Sequence, residues 1–265
     1  MPMGGSSRAV PAAYNPSMPP PETAAPIPPR TAILHRTSPT LSVILPLAPD
    51  ETEDGPLLDA LRGLPGGSEV ILVRAGGGPR PVPPGWPDGV ILRQMEAPRG
   101  RARQMNAGAR AARGAWLWFL HADSRFTPQT LPALLRFTGR EEAALGWFDL
   151  AFRPDGPRLA RLNAWGANWR SARLGLPFGD QGFVLPAESF RQLGLYDEAA
   201  PYGEDHLLAW AAHGAGLPLR RIGAGLSTSA RKYARHGWGR TTWLHWRLTA
   251  AQAWAAWRRN SGRSA

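Results

Sequence analysis

The most informative stretch of the chain reads RGRARQMNAGARAARGAWLWFLHADSR over residues 99–125. Its apolar run Trp116–Leu120 is typical of a buried strand, and residues just past the carboxyl end of such a strand lie where open α/β sheets bind ligands. Asp123 is therefore a candidate to hold a metal or a phosphate-bound cation. Asp123 and Ser124 are also ordinary caps for a helix beginning near Pro128, so the local sequence leaves both roles open.

Short apolar runs alternate with helical stretches on both sides of this segment. Pro46 is expected to end the first strand. We predict strands at 41–45, 69–73, 90–92, 116–120, 143–151 and within 179–185, and helices at 56–62, 101–113, 128–137, 158–174, 186–193 and 204–213. Alternation at this spacing predicts an α/β fold with a mostly parallel central sheet covered by helices.

The two ends of the chain differ from its centre. Residues 1–39 contain many prolines and few large apolar residues, which predicts a disordered leader. Residues 40–230 are predicted to form the folded domain, followed by a basic, Trp-rich C-terminal helical segment at 231–265. The sequence has no Cys, which excludes disulfides and thiolate nucleophiles, and no long apolar run or export signal stands out. We therefore expect a cytoplasmic protein.

The net charge of +11 is concentrated at the C-terminus. Residues 226–265 carry eight basic and no acidic side chains, whereas residues 40–225 are nearly neutral. This pattern indicates a local basic tail, and we do not expect a nucleic-acid partner. Four Trp residues of the tail share one helical stripe beside three Arg, a pattern typical either of packing on the protein or of a peripheral membrane contact. These residues are Trp243, Trp246, Trp254, Trp257, Arg240, Arg247 and Arg258.

Several acids and bases after predicted turns are candidates for group-transfer chemistry, which needs a base for the acceptor proton and cations for a departing diphosphate. The acids are Asp123, Asp180, Glu204 and Asp205, and the basic cluster is Arg231, Lys232, Arg235 and His236. Glu204 and Asp205 also suit the start of a helix, where acids complement the helix dipole. A solvated basic turn explains the cluster equally well. Arg103 and Asn106 share one helix face and are either nucleotide donors or an ordinary surface pair.

The order of these motifs resembles that of the family 2 glycosyltransferases, nucleotide-sugar enzymes of the GT-A fold. The resemblance extends to a bacterial subgroup associated with radical-enzyme and selenium gene neighbourhoods or arsenosugar biosynthesis. It covers roughly residues 40–250. The motifs are SVILP at 42–46, GRARQMNAGA at 100–109, FLHADSR at 119–125, WGANWRS at 165–171, GDQG at 179–182, ED at 204–205 and TSARKYARHG at 228–237.

The resemblance implies an inverting transfer from a nucleotide-sugar donor to a small or lipid-linked hydroxyl acceptor, with Mn²⁺ or Mg²⁺ as cofactor. Asp123 would bind the metal, with His121 replacing the first acid of the usual motif. Asp205 would be the base, with Glu204 beside it. Asp180 and Gln181 would lie near the donor sugar or acceptor. The nucleotide and diphosphate would meet Arg101, Arg103, Asn106, His121, Arg231, Lys232 and His236.

The segment after the second predicted strand departs from the family pattern. It reads VRAGGG, with Arg74 and Ala75 where an acid is expected to contact the nucleotide base. An Arg cannot accept a hydrogen bond from a base imide as a carboxylate does. This leaves a degenerate glycosyltransferase that binds without turnover as the alternative. A nucleotidyltransferase is less well supported, because the Gly-rich signature expected near the first strand is missing.

Overall fold

The computed structural model describes residues 41–51, 54–140, 142–243 and 247. The predicted leader 1–39 and most of the predicted Trp stripe lie outside these ranges. The strands within them are β1 (Leu41–Leu47), β2 (Glu69–Arg74), β3 (Ile91–Glu96), β4 (Trp116–Phe119), β5 (Arg125–Phe126), β6 (Leu145–Phe152), β7 (Val184–Pro186) and β8 (Leu219–Thr228). The α-helices are α1 (Gly55–Leu61), α2 (Arg101–Ala111), α3 (Thr130–Thr138), α4 (Ala160–Leu174), α5 (Ala187–Gln192), α6 (Glu204–Gly214) and α7 (Arg231–His236).

The described strands form one sheet in the order β3-β2-β1-β4-β7-β6-β8-β5. The pairs β1–β2, β2–β3, β1–β4 and β6–β8 are parallel, whereas β7 runs antiparallel to β4 and β6, and β5 runs antiparallel to β8. The prediction of a mostly parallel α/β sheet is therefore confirmed.

Helices cover both faces of the sheet because alternate residues of each strand point to opposite sides. Val43, Leu45 and Trp118 face one core, which α1 and α3 cover. Ile44 and Phe119 face the other, which α2, α5 and α6 cover. Each fully buried side chain of this kind contributes about 1.5–3 kcal/mol to folding, so these two layers hold the sheet edge and its loops in place.

Three features of the strands differ from the prediction. The short strand β5 was not predicted. Pro46 does not end β1, which continues to Leu47. Because the β1–β4 register extends only from Leu41 to Ile44, the missing N–H of Pro46 lies where β1 has lost that neighbour. Strand β8 was not predicted, because its sequence LRRIGAGLST contains two glycines and no regular apolar alternation.

No helix of the described residues is both long and apolar enough to cross a bilayer.

Candidate active site

A cleft of about 430 Å³ opens at the carboxyl edge of the sheet, around the ends of β1, β2 and β4. The chain runs outward from β1 to β2 and β3 and then returns to β4 on the other side of β1. Such a reversal leaves a crevice in which α/β sheets bind ligands. The lining residues include Pro49, Ala75, Arg99, Arg101, Gln104, His121, Asp123 and Arg231.

Asp123 holds the turn that follows β8. Its Oδ2 accepts hydrogen bonds from the Thr228 hydroxyl at 2.6 Å and from the Ser229 amide at 3.0 Å. Burial raises the pKa of Asp123, but these two hydrogen bonds and His121 lower it by a larger amount. The pKa is therefore below its usual value, and the carboxylate is ionised at neutral pH. The N-cap of α3 is Gln129, so the alternative role of Asp123 as its cap is wrong.

A second carboxylate, Asp155, holds the same turn from the other side. It accepts hydrogen bonds from the Ser229 hydroxyl at 2.8 Å and the Ala230 amide at 2.7 Å. The Ser229 hydroxyl in turn accepts from the Arg231 Nε at 3.0 Å. Asp155 thus acts through Ser229 on a side chain of the cleft. This role was not predicted, because Asp155 lies in RPDG, an ordinary turn sequence.

Arg101 joins the cleft to the acids at the start of α6. Its Nε donates to Glu204 Oε1 at 2.5 Å. Burial lowers the pKa of Arg101, but Asp205, Glu204 and Asp180 raise it by a larger amount. Arg101 therefore stays charged among three acids, and Glu204 holds it in place.

Asp205 is buried and ionised. Its Oδ2 accepts from the Gly179 amide at 2.5 Å and its Oδ1 accepts from the His206 amide at 2.8 Å. Burial raises the pKa of Asp205, but Arg101 and these amides hold it below its usual value. A Cβ at position 179 would lie 2.8 Å from Asp205 Oδ2, so only glycine permits this close approach.

Asp180 lies in the same cluster but in a different environment. Its Oδ1 is buried and has no hydrogen-bond partner among the described residues. Burial raises the pKa of this carboxyl, and Asp205 adds to that effect, while Lys232, Arg170 and Arg101 oppose it. Asp180 and Asp205 thus have pKa values shifted in opposite directions, an arrangement that often separates acid and base roles.

His121 and the basic residues complete the surroundings of the cleft. Burial and Arg101 lower the pKa of His121 to about 4, although Asp123 and Asp205 oppose the shift, so its imidazole is neutral at pH 7. Arg231 lines the cleft, and Lys232 is exposed beside it. The side chain of His236 lies outside what the structure describes.

Of the predicted site residues, Arg101, His121, Asp123 and Arg231 line this cleft. The others whose side chains the structure describes do not line it, and three of them, Arg103, Asn106 and Gln181, have surroundings of their own. Arg103 lines a neighbouring cavity with Tyr202 and Glu204. Asn106 is buried and its amide bonds the backbone of Tyr196 and the carboxylate of Glu198, which fixes that loop. The Gln181 side chain is fully enclosed.

Both polar atoms of the Gln181 side chain form hydrogen bonds within the protein. Its Oε1 accepts from the Ser171 hydroxyl at 2.7 Å and the Phe178 amide at 3.1 Å, and its Nε2 donates to the Phe148 carbonyl at 3.1 Å. These contacts give Gln181 and Asn106 structural roles next to the site. The spacing alone did not distinguish such roles from ligand contacts.

Arg74 ends β2 at the far side of the cleft. It is only 2% exposed, and its Nη2 donates to the Pro49 carbonyl at 3.2 Å. Its Nε and Nη1 are buried without a hydrogen-bond partner among the described residues. A buried guanidinium with two unpaired nitrogens is costly, so the unusual residue noted in the sequence also has an unusual environment.

The described residues contain no group of three or more His, Asp or Glu side chains able to hold a metal ion. Asp123 and His121 line the same cleft and offer a carboxylate oxygen and a neutral imidazole. Mg²⁺ and similar ions are commonly held by one or two protein ligands together with substrate phosphates and water. The donor set therefore fits a divalent ion that is bound jointly with a diphosphate.

The fold defines a class, the α/β proteins of the GT-A glycosyltransferase type. TarS from S. aureus superimposes with a TM-score of 0.54 at 13% identity, over 72% of this chain and 37% of that one. A structure of TarS residues 1–349 in complex with UDP-GlcNAc gives a TM-score of 0.54 at 14% identity, over 72% of this chain and 58% of that one. At such low identity these likenesses establish the fold.

More specifically, the chain is similar to the family 2 glycosyltransferases. Residues 82–191 match the family model described as glycosyl transferase family 2, a range that includes Asp123 and Asp180 but ends before Asp205. The dodecaprenyl-phosphate galacturonate synthase of Rhizobium johnstonii is 28% identical over 198 residues, which is 69% of this chain. The chain spans 56% of the length of that relative.

Proposed function

We propose that the protein is an inverting glycosyltransferase that moves a sugar from a nucleotide-sugar donor to a hydroxyl acceptor. The observation that carries this proposal is the placement of Asp180 and Asp205 around Arg101, beside a cleft lined by Asp123, His121 and Arg231. The first group provides carboxylates for proton transfer, and the second provides a site for a diphosphate. The family 2 match supports the same reaction.

The reaction follows from these two groups of residues. The diphosphate of the donor lies in the cleft, where Arg231 and Arg101 neutralise its charge. Asp205 takes the proton of the acceptor hydroxyl, whose oxygen attacks the anomeric carbon as the bond to the diphosphate breaks. The nucleoside diphosphate leaves on the opposite face from the attack, so the anomeric configuration inverts. Glu204 keeps Arg101 in position throughout.

Asp123 and His121 would hold a divalent Mn²⁺ or Mg²⁺ ion together with the donor diphosphate. When bound, such an ion neutralises the charge that builds up on the leaving group. Lys232 and His236 are proposed to contact the same diphosphate. Arg103 is proposed to reach the donor from the neighbouring cavity.

The acceptor is proposed to be a lipid-linked or small-molecule hydroxyl compound. The relative from Rhizobium johnstonii is named for a dodecaprenyl-phosphate product, which supports the lipid-linked class. We further propose a cytoplasmic enzyme that contacts the inner face of the membrane through its Trp- and Arg-rich C-terminal segment. Membership of the radical-enzyme, selenium-associated or arsenosugar subgroup rests on the order of motifs alone.

The second candidate is a protein of this fold that binds a ligand without turnover. Arg74 favours it, because a buried Arg stands where an acid is expected, and its Nε and Nη1 have no hydrogen-bond partner among the described residues. The ionised Asp123 and Asp205 favour the enzyme.

Calorimetric titration with UDP, GDP and their common sugar conjugates, with and without Mn²⁺, tests the donor site. We expect metal-dependent binding of one nucleotide, lost in Asp123→Ala while circular dichroism stays unchanged. Product analysis by NMR then reports the anomeric configuration. Binding without release of the nucleoside diphosphate, in the presence of hydroxyl and lipid-phosphate acceptors, would favour the second candidate.

A further inference from the structure

Helix α4 turns small residues toward the protein. Ala160, Ala164 and Ser171 are its buried residues. The helix packs mainly against β6, and Ala160 also packs with Ala230 and Tyr233 around the start of α7. The Ser171 hydroxyl donates to Gln181 at 2.7 Å, and Asn168 bonds the backbone of Leu150 through both ends of its amide. This side of the helix is therefore fixed by short side chains and hydrogen bonds.

The large apolar residues of α4 point the other way. Leu162 is 56% exposed, Trp165 is 69% exposed and Trp169 is 52% exposed. At 3.6 residues per turn these three positions fall within an arc of about 60°. Trp and Leu side chains are usually buried in the protein, so a contiguous exposed stripe of them marks a contact surface.

Basic residues flank this stripe and acidic residues are missing from it. Arg158, Arg161 and Arg173 are exposed on the same side of the helix. The sequence contains no Asp or Glu anywhere between residues 156 and 179. The charge of the surface therefore complements an anionic partner.

The segment at 238–243 extends the surface. Asn163 of α4 donates to the Thr242 hydroxyl at 2.9 Å and accepts from the Trp238 indole at 2.9 Å. Next to these contacts Trp243 is 61% exposed, and the Arg247 guanidinium lies 5.2 Å from its ring centroid. No residue from 206 to 265 is acidic.

We propose that Leu162, Trp165 and Trp169, with their flanking arginines and Trp243, form a face that docks on an anionic bilayer. We call this surface the α4 face. Trp side chains favour the headgroup region, where Leu reaches the acyl boundary and Arg meets lipid phosphate. The proposal differs from a contact through the distal C-terminal segment, because α4 belongs to the folded domain.

The α4 face is joined directly to the candidate site. The chain passes from α4 through residues 175–178 to Gly179 and Asp180. The use of this link to present a lipid-linked acceptor rests on the proposed function. The membrane contact itself does not depend on turnover, and the two are tested separately.

Vesicle co-sedimentation of the full chain tests the contact. One set of vesicles contains phosphatidylcholine alone. The other also contains about 30 mol% phosphatidylglycerol, which approximates the negative charge of an anionic leaflet. We expect wild-type protein to bind the anionic vesicles. Trp165→Ala/Trp169→Ala should reduce the partition coefficient at least about tenfold, and Arg158→Gln/Arg161→Gln/Arg173→Gln should remove the preference for anionic lipid.

The matched control is Ile91→Ala/Leu135→Ala, which removes two exposed apolar side chains from other parts of the surface. It should bind vesicles like the wild type. Equal binding by the Trp variant and this control would overturn the proposal. The proposal would also be overturned if sedimentation equilibrium showed a dimer for the wild type and a monomer for the Trp variant. The α4 face would then join two copies of the chain. Nucleotide binding, measured without vesicles, reports on the proposed function independently.

Discussion

The two buried acids Asp180 and Asp205 show how neighbouring carboxyl groups acquire different chemistry. Asp205 accepts two backbone amides and lies near Arg101, which outweighs burial and lowers its pKa. Asp180 Oδ1 has no hydrogen-bond partner among the described residues, and burial together with Asp205 raises the pKa of this carboxyl group. Asp205 is thus ionised and available to receive a proton, but at a low pKa it is a weak base. Asp180 would be a stronger base whenever it is ionised.

Asparagine substitutions distinguish these two acids. If Asp205 accepts the acceptor proton, Asp205→Asn lowers kcat by about 10²–10⁴-fold, the usual contribution of a general base. Asp180→Asn keeps a similar shape and should lower kcat much less. Single-turnover kinetics, with donor affinity measured in parallel, separate the chemical step from binding. The reverse order of effects would transfer the base role to Asp180.

Substitution of Arg74 tests whether its guanidinium binds the nucleotide donor. Arg74→Met removes a buried guanidinium, so we expect the free energy of unfolding to stay constant or rise by about 1–2 kcal/mol. Nucleotide affinity should fall at least about tenfold if the guanidinium meets the donor. Urea unfolding and calorimetry measure the two effects.

Arg80→Met is the matched control for Arg74. Arg80 pairs with the buried Asp54 at 3.2 Å, so its loss leaves a buried carboxylate unpaired and should destabilise the protein. Destabilisation of Arg74→Met without loss of affinity would make Arg74 a structural residue.

Some site residues follow from the sequence and others do not. Asp123, Asp180 and Asp205 each follow a turn or open a helix, and their loops were predicted to converge at one edge of the sheet. Asn106 and Gln181 have polar side chains at equally suitable positions, yet both point into the protein to hold loops. The difference depends on contacts across 90 and 33 residues of chain, which local spacing does not encode.

Some secondary-structure elements were likewise predicted from the local sequence, and others depend on contacts with distant parts of the chain. Strands β1, β2 and β4 are continuous apolar runs and were predicted within a residue or two. Strand β8 is stabilised by pairing with β6 along most of its length, so neighbouring strands supply what its own sequence lacks. Its last residue, Thr228, begins the turn at the site.

The turn between β8 and α7 should be sensitive to the loss of Asp155. Asp155→Ala removes the acceptor for Ser229 and Ala230, and we expect it to lower the free energy of unfolding by about 1–3 kcal/mol. It should also weaken nucleotide binding several-fold, because Arg231 depends on Ser229 for its position. Thermal unfolding and calorimetry measure these changes.

Asp149→Ala is the control for this turn. Asp149 forms a surface ion pair with Arg221 at 2.7 Å, and such pairs contribute about 0–1 kcal/mol. Equal effects of the two substitutions on nucleotide binding would contradict the role given to Asp155.

For the molecule as a whole, the buried neutral His206 makes the stability depend on pH. Burial lowers the pKa of His206 to about 4, although Asp205 opposes the shift. Between this value and about 6.5, the ordinary pKa of His, the unfolded chain binds a proton that the folded protein does not. Stability from this residue is therefore complete above about pH 6.5 and decreases as the pH falls toward 4.

His206→Phe should flatten this dependence. Denaturant unfolding at pH 7.5 and pH 4.5 should show a loss about 1–3 kcal/mol smaller in the variant than in the wild type. The lost acceptor for the Trp210 indole affects both pH values alike, so only the difference between them is informative. An unchanged difference would mean that His206 retains an ordinary pKa in the folded protein.

The pairing of β5 with β8 at one edge of the sheet has a consequence for the newly made chain. Asp123 and its hydrogen-bond partner Thr228 are 105 residues apart, and the β5–β8 pairs join Arg125 to Ser227 and Phe126 to Leu226. During translation the first half of the cleft therefore leaves the ribosome well before the residues that complete it. A nascent chain would complete the proposed diphosphate site only after nearly the whole domain has emerged, so the proposed activity would begin only at the end of folding.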